Sequence, residues 1–139
     1  MLRPGVPGLS EHIEVHSIVG RYLEHSRLFY FYNNGKEDVF ISSADWMPRN
    51  LNERVELMIP VEYPPHKERV KGILNLYFHD NVKAYAMNGD GTYRYLADTR
   101  RGEPIHAQAM LQKEAEDHTR QLKKKDIKTR VLTRTSGDE

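Results

Sequence analysis

The chain has 139 residues, 38% of them hydrophobic, which is room for one domain of ordinary size and material for a single core. Its 21 basic and 20 acidic residues leave a formal charge of +1, so no long-range field draws in nucleic acid or an anionic membrane, and any anion site has to be local. There is no cysteine, which removes disulfides, thiolate nucleophiles and cysteine-based zinc sites and suits a reducing compartment, the cytoplasm by default.

The opening Pro4–Gly5–Val6–Pro7–Gly8 reads as an irregular connector, and MLRPGVPGLS lacks the apolar core of a secretion signal. His12 to Val19 carries Ile13, Val15 and Ile18 among polar neighbours and predicts a strand. A short helical turn is expected over 20–24, followed by an aromatic strand from Arg27 to Tyr32. Asn33–Asn34–Gly35 tolerates the positive φ of a tight turn, and Val39–Phe40–Ile41–Ser42 comes soon after, so an antiparallel hairpin is predicted.

Residues 43–50 read as a polar loop holding the only tryptophan, Trp46, which either plugs the edge of the core or contacts a nucleotide base. Arg54 to Val61 resumes as an apolar strand. From His66 to His79, the residues Val70, Ile73, Leu74, Tyr77 and Phe78 recur with the spacing of one helical face, which predicts an amphipathic helix covering the sheet. Val82 to Met87 and Thr92 to Leu96 flank Asn88–Gly89–Asp90–Gly91 and predict a second hairpin. Ala107 to Lys125 has few apolar anchors and reads as an exposed helix before a disordered end. The run Lys123–Lys124–Lys125 with Lys128, Arg130 and Arg134 is either a solvated tail or a polyanion-binding arm.

The predicted class is therefore α/β: a small mixed sheet with hairpins under an amphipathic helix over residues 1–100, and a helical, basic, partly disordered tail over 101–139. No run of about 18 apolar residues is available to span a bilayer. Neither a Gly-x-x-x-x-Gly-Lys-Ser/Thr loop nor a Gly-x-Gly-x-x-Gly turn occurs, so no P-loop or dinucleotide site is expected. His12 and His16 stand four apart, but in a strand and without a carboxylate cluster, so no metal site is expected there.

Of seven histidines, His25 alone lies between a turn and an aromatic strand with an arginine, Arg27, two residues away. Imidazole exchanges protons near neutral pH, and arginine offers a planar fork that matches two phosphate oxygens. With Arg21, the Ser42–Ser43 pair and Arg49–Asn50 arriving after one hairpin, these are components of a phosphoryl-transfer site, whose chemistry depends on positioning and charge neutralisation. Ser42 and Ser43 lack the surroundings of a nucleophilic serine and are expected to act as hydrogen-bond donors. Considered on chemistry alone, Arg49 and Arg54 also fit exposed charge flanking strands.

The succession VPGLSEHIEVHSIVGRYLEHSRLFYF, then VFISSADWMPRNLNERVELMIPV, then DNVKAY, resembles the final domain of polyphosphate kinases of the phosphohistidine-forming type, over about residues 2–96. The resemblance implies a phospholipase D-like domain, one of two that each supply a histidine to a shared tunnel. There the terminal phosphate of ATP passes reversibly to polyphosphate. The histidine of Tyr-Leu-Glu-His falls on His25, implying contact with ATP and acid or base action while the other domain's histidine is phosphorylated. Arg54 is implied to face phosphates, and Arg49 and Asn50, in a loop of the phospholipase D-like motif, to join it in binding ATP or phosphate. The phosphorylated histidine, its arginines and a Mg2+ site are implied to lie in upstream domains not contained in this sequence.

The expectation is thus a catalytic-domain fragment, inactive alone, whose partners are ATP or ADP, polyphosphate and the upstream polyphosphate kinase domains. Nucleic acid is not an expected partner, and a homo-oligomer and membrane association are left open for the full-length enzyme. The alternative from another class is a non-catalytic module that binds polyphosphate or nucleotide through Arg49, Arg54 and the lysine-rich tail.

Overall fold

A computed structural model describes residues 2–99 and 101–135, with side chains through Lys124, and divides into two compact units between Ile105 and His106. Arg100, where the sequence places the domain boundary, and residues 136–139, within the expected disordered end, lie outside the described residues.

The first unit contains β1 (His16–Ile18), β2 (Leu28–Phe31), β3 (Asp38–Ser42), α1 (Pro48–Glu53), β4 (Met58–Pro60), α2 (Pro64–His79), β5 (Ala84–Met87) and β6 (Tyr93–Tyr95). The α/β class holds, but the single mixed sheet does not. The strands form two separate antiparallel sheets, ordered β2-β3-β4 and β1-β5-β6.

Both expected hairpins are present. β2 and β3 pair with Leu28 opposite Ile41 and Phe31 opposite Asp38, joined through Asn33, Asn34 and Gly35, all at positive φ. Asparagine and glycine tolerate that region where a β-branched residue would be strained. β5 and β6 pair with Tyr85 opposite Tyr95, their rings stacked 4.7 Å apart. In the connecting turn, a Cβ on Gly89 would lie 2.9 Å from the Pro4 carbonyl, so this approach admits no side chain. The opening peptide is accordingly more than a connector. Pro4 is buried, and Ser10 closes the loop by accepting from the Val6 amide (3.1 Å) and donating to the Arg3 carbonyl.

Other expectations shift. The 12–19 strand contracts to β1, which pairs across a long sequence gap with β5. Residues 20–24 form a bend and coil rather than a helical turn. Within the apolar run 54–61 only Met58–Pro60 pairs, along the outer side of β3, where proline's missing N–H costs no ladder bond. The loop after β3 contains a helix, α1, that begins at Pro48; proline suits a first helical turn because its absent N–H would be unpaired there.

α2 packs against β2 and β3. Of its expected apolar face, Val70 is buried and Ile73, Leu74 and Tyr77 are half-buried, whereas Phe78 is 53% exposed. Polar bonds hold the hairpin to the helix. The Lys71 ammonium reaches Glu37 at 2.7 Å, Tyr30 donates to the same carboxylate at 2.7 Å, and Lys67 donates to the Glu37 carbonyl at 3.0 Å. Hydrogen bonds to Glu37 and then Glu68 push the Lys71 pKa up to about 12. The core is thin. Besides Pro4, the buried apolar residues among the described residues of this unit are Val39, Val70 and Ala84, while Phe31, Met58, Ile59 and Tyr63 stand about half-exposed or more.

The second unit is α3 (Ala107–Thr135), which continues past Lys125, the expected end of the helix. Its start is capped by His106 Nδ1, which accepts from the Ala109 amide at 3.3 Å. Gln112 donates to Glu116 one turn on, and Thr119 back-bonds to the Ala115 carbonyl. Among the described residues, no helix is long and apolar enough to cross a membrane.

Candidate functional site

The register of the first hairpin builds the site. Its ladder extends one step beyond β2, where the Ser42 amide donates to the Arg27 carbonyl at 2.8 Å. That brings the segment entering β2, residues 25–27, beside the segment leaving β3, residues 43–45. Ser42 and Ser43 keep the exit rigid. Ser42 Oγ donates to the Leu57 carbonyl (3.0 Å) and accepts from the Ala44 amide (3.1 Å), and Ser43 accepts from the Leu57 amide (3.0 Å) while donating to Glu56. Both serines are thereby occupied in structural bonds. On the other side, Ser26 shares a hydrogen bond with the Tyr77 hydroxyl at 3.1 Å, tying the histidine segment to α2.

At the junction, Arg27 links two groups. Its Nε donates to Asp45 Oδ1 at 2.7 Å, and one terminal nitrogen lies 2.6 Å from His25 Nε2. Arg27 is mostly covered, with its side chain 18% exposed, and Asp45 is 41% exposed. The hydrogen bond from Arg27 holds the Asp45 carboxyl below its ordinary value of 3.8; partial burial opposes this, and the Arg27 charge and a hydrogen bond from Asn50 add to it. The same bond raises the Arg27 pKa.

A carboxylate depressed in the folded chain adds stability above its unfolded pKa and loses it as pH falls through the folded one. The Arg27–Asp45 bond is therefore expected to survive down to pH 3.8 and to fail only below it. A 13C titration of the Asp45 carboxyl checks this; a midpoint at or above the ordinary value contradicts it.

The expected site residues separate into two groups. His25 is exposed and meets Arg27 directly, and Asn50 is buried in α1 with its amide directed at Asp45. Arg49, in α1, and Arg54, which caps it, are exposed and pair with no carboxylate among the described residues. Trp46 does not plug the core. It is 80% exposed and stacks on Phe29 with ring centroids 6.2 Å apart. Ser43 and Asp45 are expected from sequence to orient the loop after β3, but the pairing of Asp45 with Arg27 and of Tyr77 with Ser26 is not legible there, because each bridges distant stretches of chain.

A Mg2+ ion needs hard oxygen ligands, usually one or two carboxylates with water. Asp45, the carboxylate of this cluster, already gives an oxygen to Arg27, and the described residues contain no group of three or more His, Asp or Glu side chains disposed around a common point. The residues present do not fit a dedicated Mg2+ site. A groove of about 790 Å³ between β2 and α2 is lined by apolar residues such as Leu28, Phe29, Leu74 and Phe78, with Glu68, Lys71 and Asn75, and contains none of the expected site residues.

Residues 1–108 match the pattern of the family described as polyphosphate kinase C-terminal domain 2. The chain is 54% identical over 110 residues to a polyphosphate kinase of Rhodopirellula baltica, covering 79% of this chain and 13% of that protein. It is 45% identical over 132 residues to one from Staphylococcus saprophyticus, covering 95% of this chain and 18% of that protein. The family match exceeds the span 2–96 read from the sequence, and the second similarity runs well into α3. The crystal structure of polyphosphate kinase from Porphyromonas gingivalis superposes with a TM-score of 0.69 at 40% identity, over 78% of this chain and 17% of that one. The chain thus spans less than one fifth of the length of these relatives.

Proposed function

Since the chain belongs to the polyphosphate kinase C-terminal domain 2 family, we propose that it forms one half of a phosphoryl-transfer site that moves the terminal phosphate of ATP reversibly onto polyphosphate. The observation that carries this reading is the exposed His25 held by Arg27, which Asp45 anchors in turn. It supplies a proton-exchanging group in a fixed position, as phosphoryl transfer requires. His25 contacts ATP and acts as acid or base. Arg54 and Arg49 neutralise phosphate charge with side chains that no carboxylate among the described residues occupies, and Asn50 contributes by holding Asp45.

The proposed fold is phospholipase D-like, with α2 as the amphipathic helix covering the β2-β3-β4 sheet. The apolar side chains left exposed on β2, β4 and α2 support a unit that works packed against the upstream polyphosphate kinase domains. Mg2+ is assigned to those domains, and the cytoplasm, where ATP is available, is the proposed location.

Phosphoryl transfer from ATP to polyphosphate, measured with the chain alone and then mixed with a Rhodopirellula baltica polyphosphate kinase truncated of its matching segment, tests the reading. Activity is expected only in the mixture. Arg49 and Arg54, exposed and paired with no carboxylate among the described residues, also favour a second reading, a module that binds polyphosphate without catalysis. Tight, steeply salt-dependent polyphosphate binding by the chain alone, with no transfer in the mixture, selects it.

A further inference from the structure

We propose that Arg27 is a positioning residue that fixes the tautomer of His25, holding Nε2 as the acceptor and the proton on Nδ1, with Asp45 as its anchor. The inference rests on the functional reading above and specifies which atom of His25 faces which task.

A guanidinium has five N–H donors and no acceptor, so the 2.6 Å contact to His25 Nε2 is a hydrogen bond only when Nε2 carries a lone pair. The neutral imidazole then has its proton on Nδ1. Arg27 stays in this role as long as its Nε remains bound to Asp45 at 2.7 Å, because the guanidinium is planar. Asp45 is itself held by Asn50, and the backbone on both sides is fixed by the bond from the Ser42 amide to the Arg27 carbonyl and by the Ser26–Tyr77 bond. In this state His25 offers a phosphate oxygen a hydrogen bond from Nδ1–H. Nε2 becomes free to take up a proton only when Arg27 turns away.

The test is the tautomer itself, read from the 15N shifts of the His25 ring in the uniformly labelled full chain near pH 8. Wild type is expected to show a protonated Nδ1 and a pyridine-like Nε2. Arg27→Met, which keeps the aliphatic stem without a donor, is expected to shift the ring towards the Nε2–H form favoured by free imidazole. Asp45→Asn, which leaves Arg27 in place but loosens its anchor, shifts it partway and serves if Arg27→Met loses its native amide spectrum. Arg27→Lys keeps the charge without the fork and should not restore the wild-type tautomer.

In the reconstituted transfer assay, Arg27→Met is expected to lower kcat by about 10²-fold, the lower end of what a positioned proton-transfer group contributes. A wild-type His25 with its proton on Nε2 overturns the proposal whatever the variants do. So does a tautomer unchanged in Arg27→Met, or one restored by Arg27→Lys. If instead wild type shows Nδ1–H and His25→Ala leaves transfer untouched, the functional reading fails while the Arg27–His25 relation stands.

Discussion

His25→Ala is expected to lower ATP-to-polyphosphate transfer in the reconstituted mixture by about 10²–10⁴-fold, the usual contribution of a positioned general acid or base. The side chain is exposed and makes its hydrogen bond to Arg27, so its removal empties the centre of the cluster without opening the core. An unchanged circular dichroism spectrum and urea midpoint should accompany the loss. Arg54→Ala, by contrast, is expected to raise KM more than it lowers kcat, because a phosphate-neutralising charge acts on bound substrate as well as on the transition state. Transfer indifferent to His25→Ala would remove the residue from the reaction.

Asp80→Ala is expected to be the most damaging single change to stability outside the apolar core. Asp80 is 1% exposed at the end of α2, where its Oδ1 accepts from the Val82 amide at 2.9 Å and the Lys83 amide at 2.6 Å. These bonds turn the chain from α2 into β5, whose first residue, Ala84, is fully buried opposite Ile18 of β1. Alanine orphans both part-buried amides, a loss of about 2–6 kcal/mol at roughly 1–3 kcal/mol for each donor left unsatisfied. A small domain has about 5–15 kcal/mol to lose, and this one has few buried apolar side chains. Asp80→Asn keeps an acceptor oxygen and should retain most of the stability. Equal urea midpoints for the alanine and asparagine variants would show that the two amide bonds are not what Asp80 contributes.

The elements legible from the chain are those decided within a dozen residues. Asn33–Asn34–Gly35 and Asn88–Gly89–Asp90–Gly91 announce their hairpins because positive φ and close backbone approach restrict which residues can stand there. α2 follows from its 3.6-residue periodicity. α1 was also legible in principle, since Met47–Pro48 carries the proline-first signal, but aromatic and serine neighbours suggested a loop. The apolar run 54–61 misleads for the opposite reason. Hydropathy predicts a strand but not whether a partner exists to bury it, and Met58 and Ile59 remain 49% exposed on an edge.

By itself the sequence determined the α/β class, the two hairpins, the position of α2 and the family, because turn chemistry, periodicity and motif order are local or read in sequence. Only the tertiary structure decided that the strands form two sheets, that β1 joins β5, that Trp46 faces solvent, and that His25 is held by an Arg27 anchored on Asp45. Those outcomes depend on contacts between distant stretches of chain, such as Arg27 with Asp45 and β1 with β5. Several strand pairings compete at such separations, and the winner is set by the summed burial and hydrogen bonding of the whole fold rather than by any local preference.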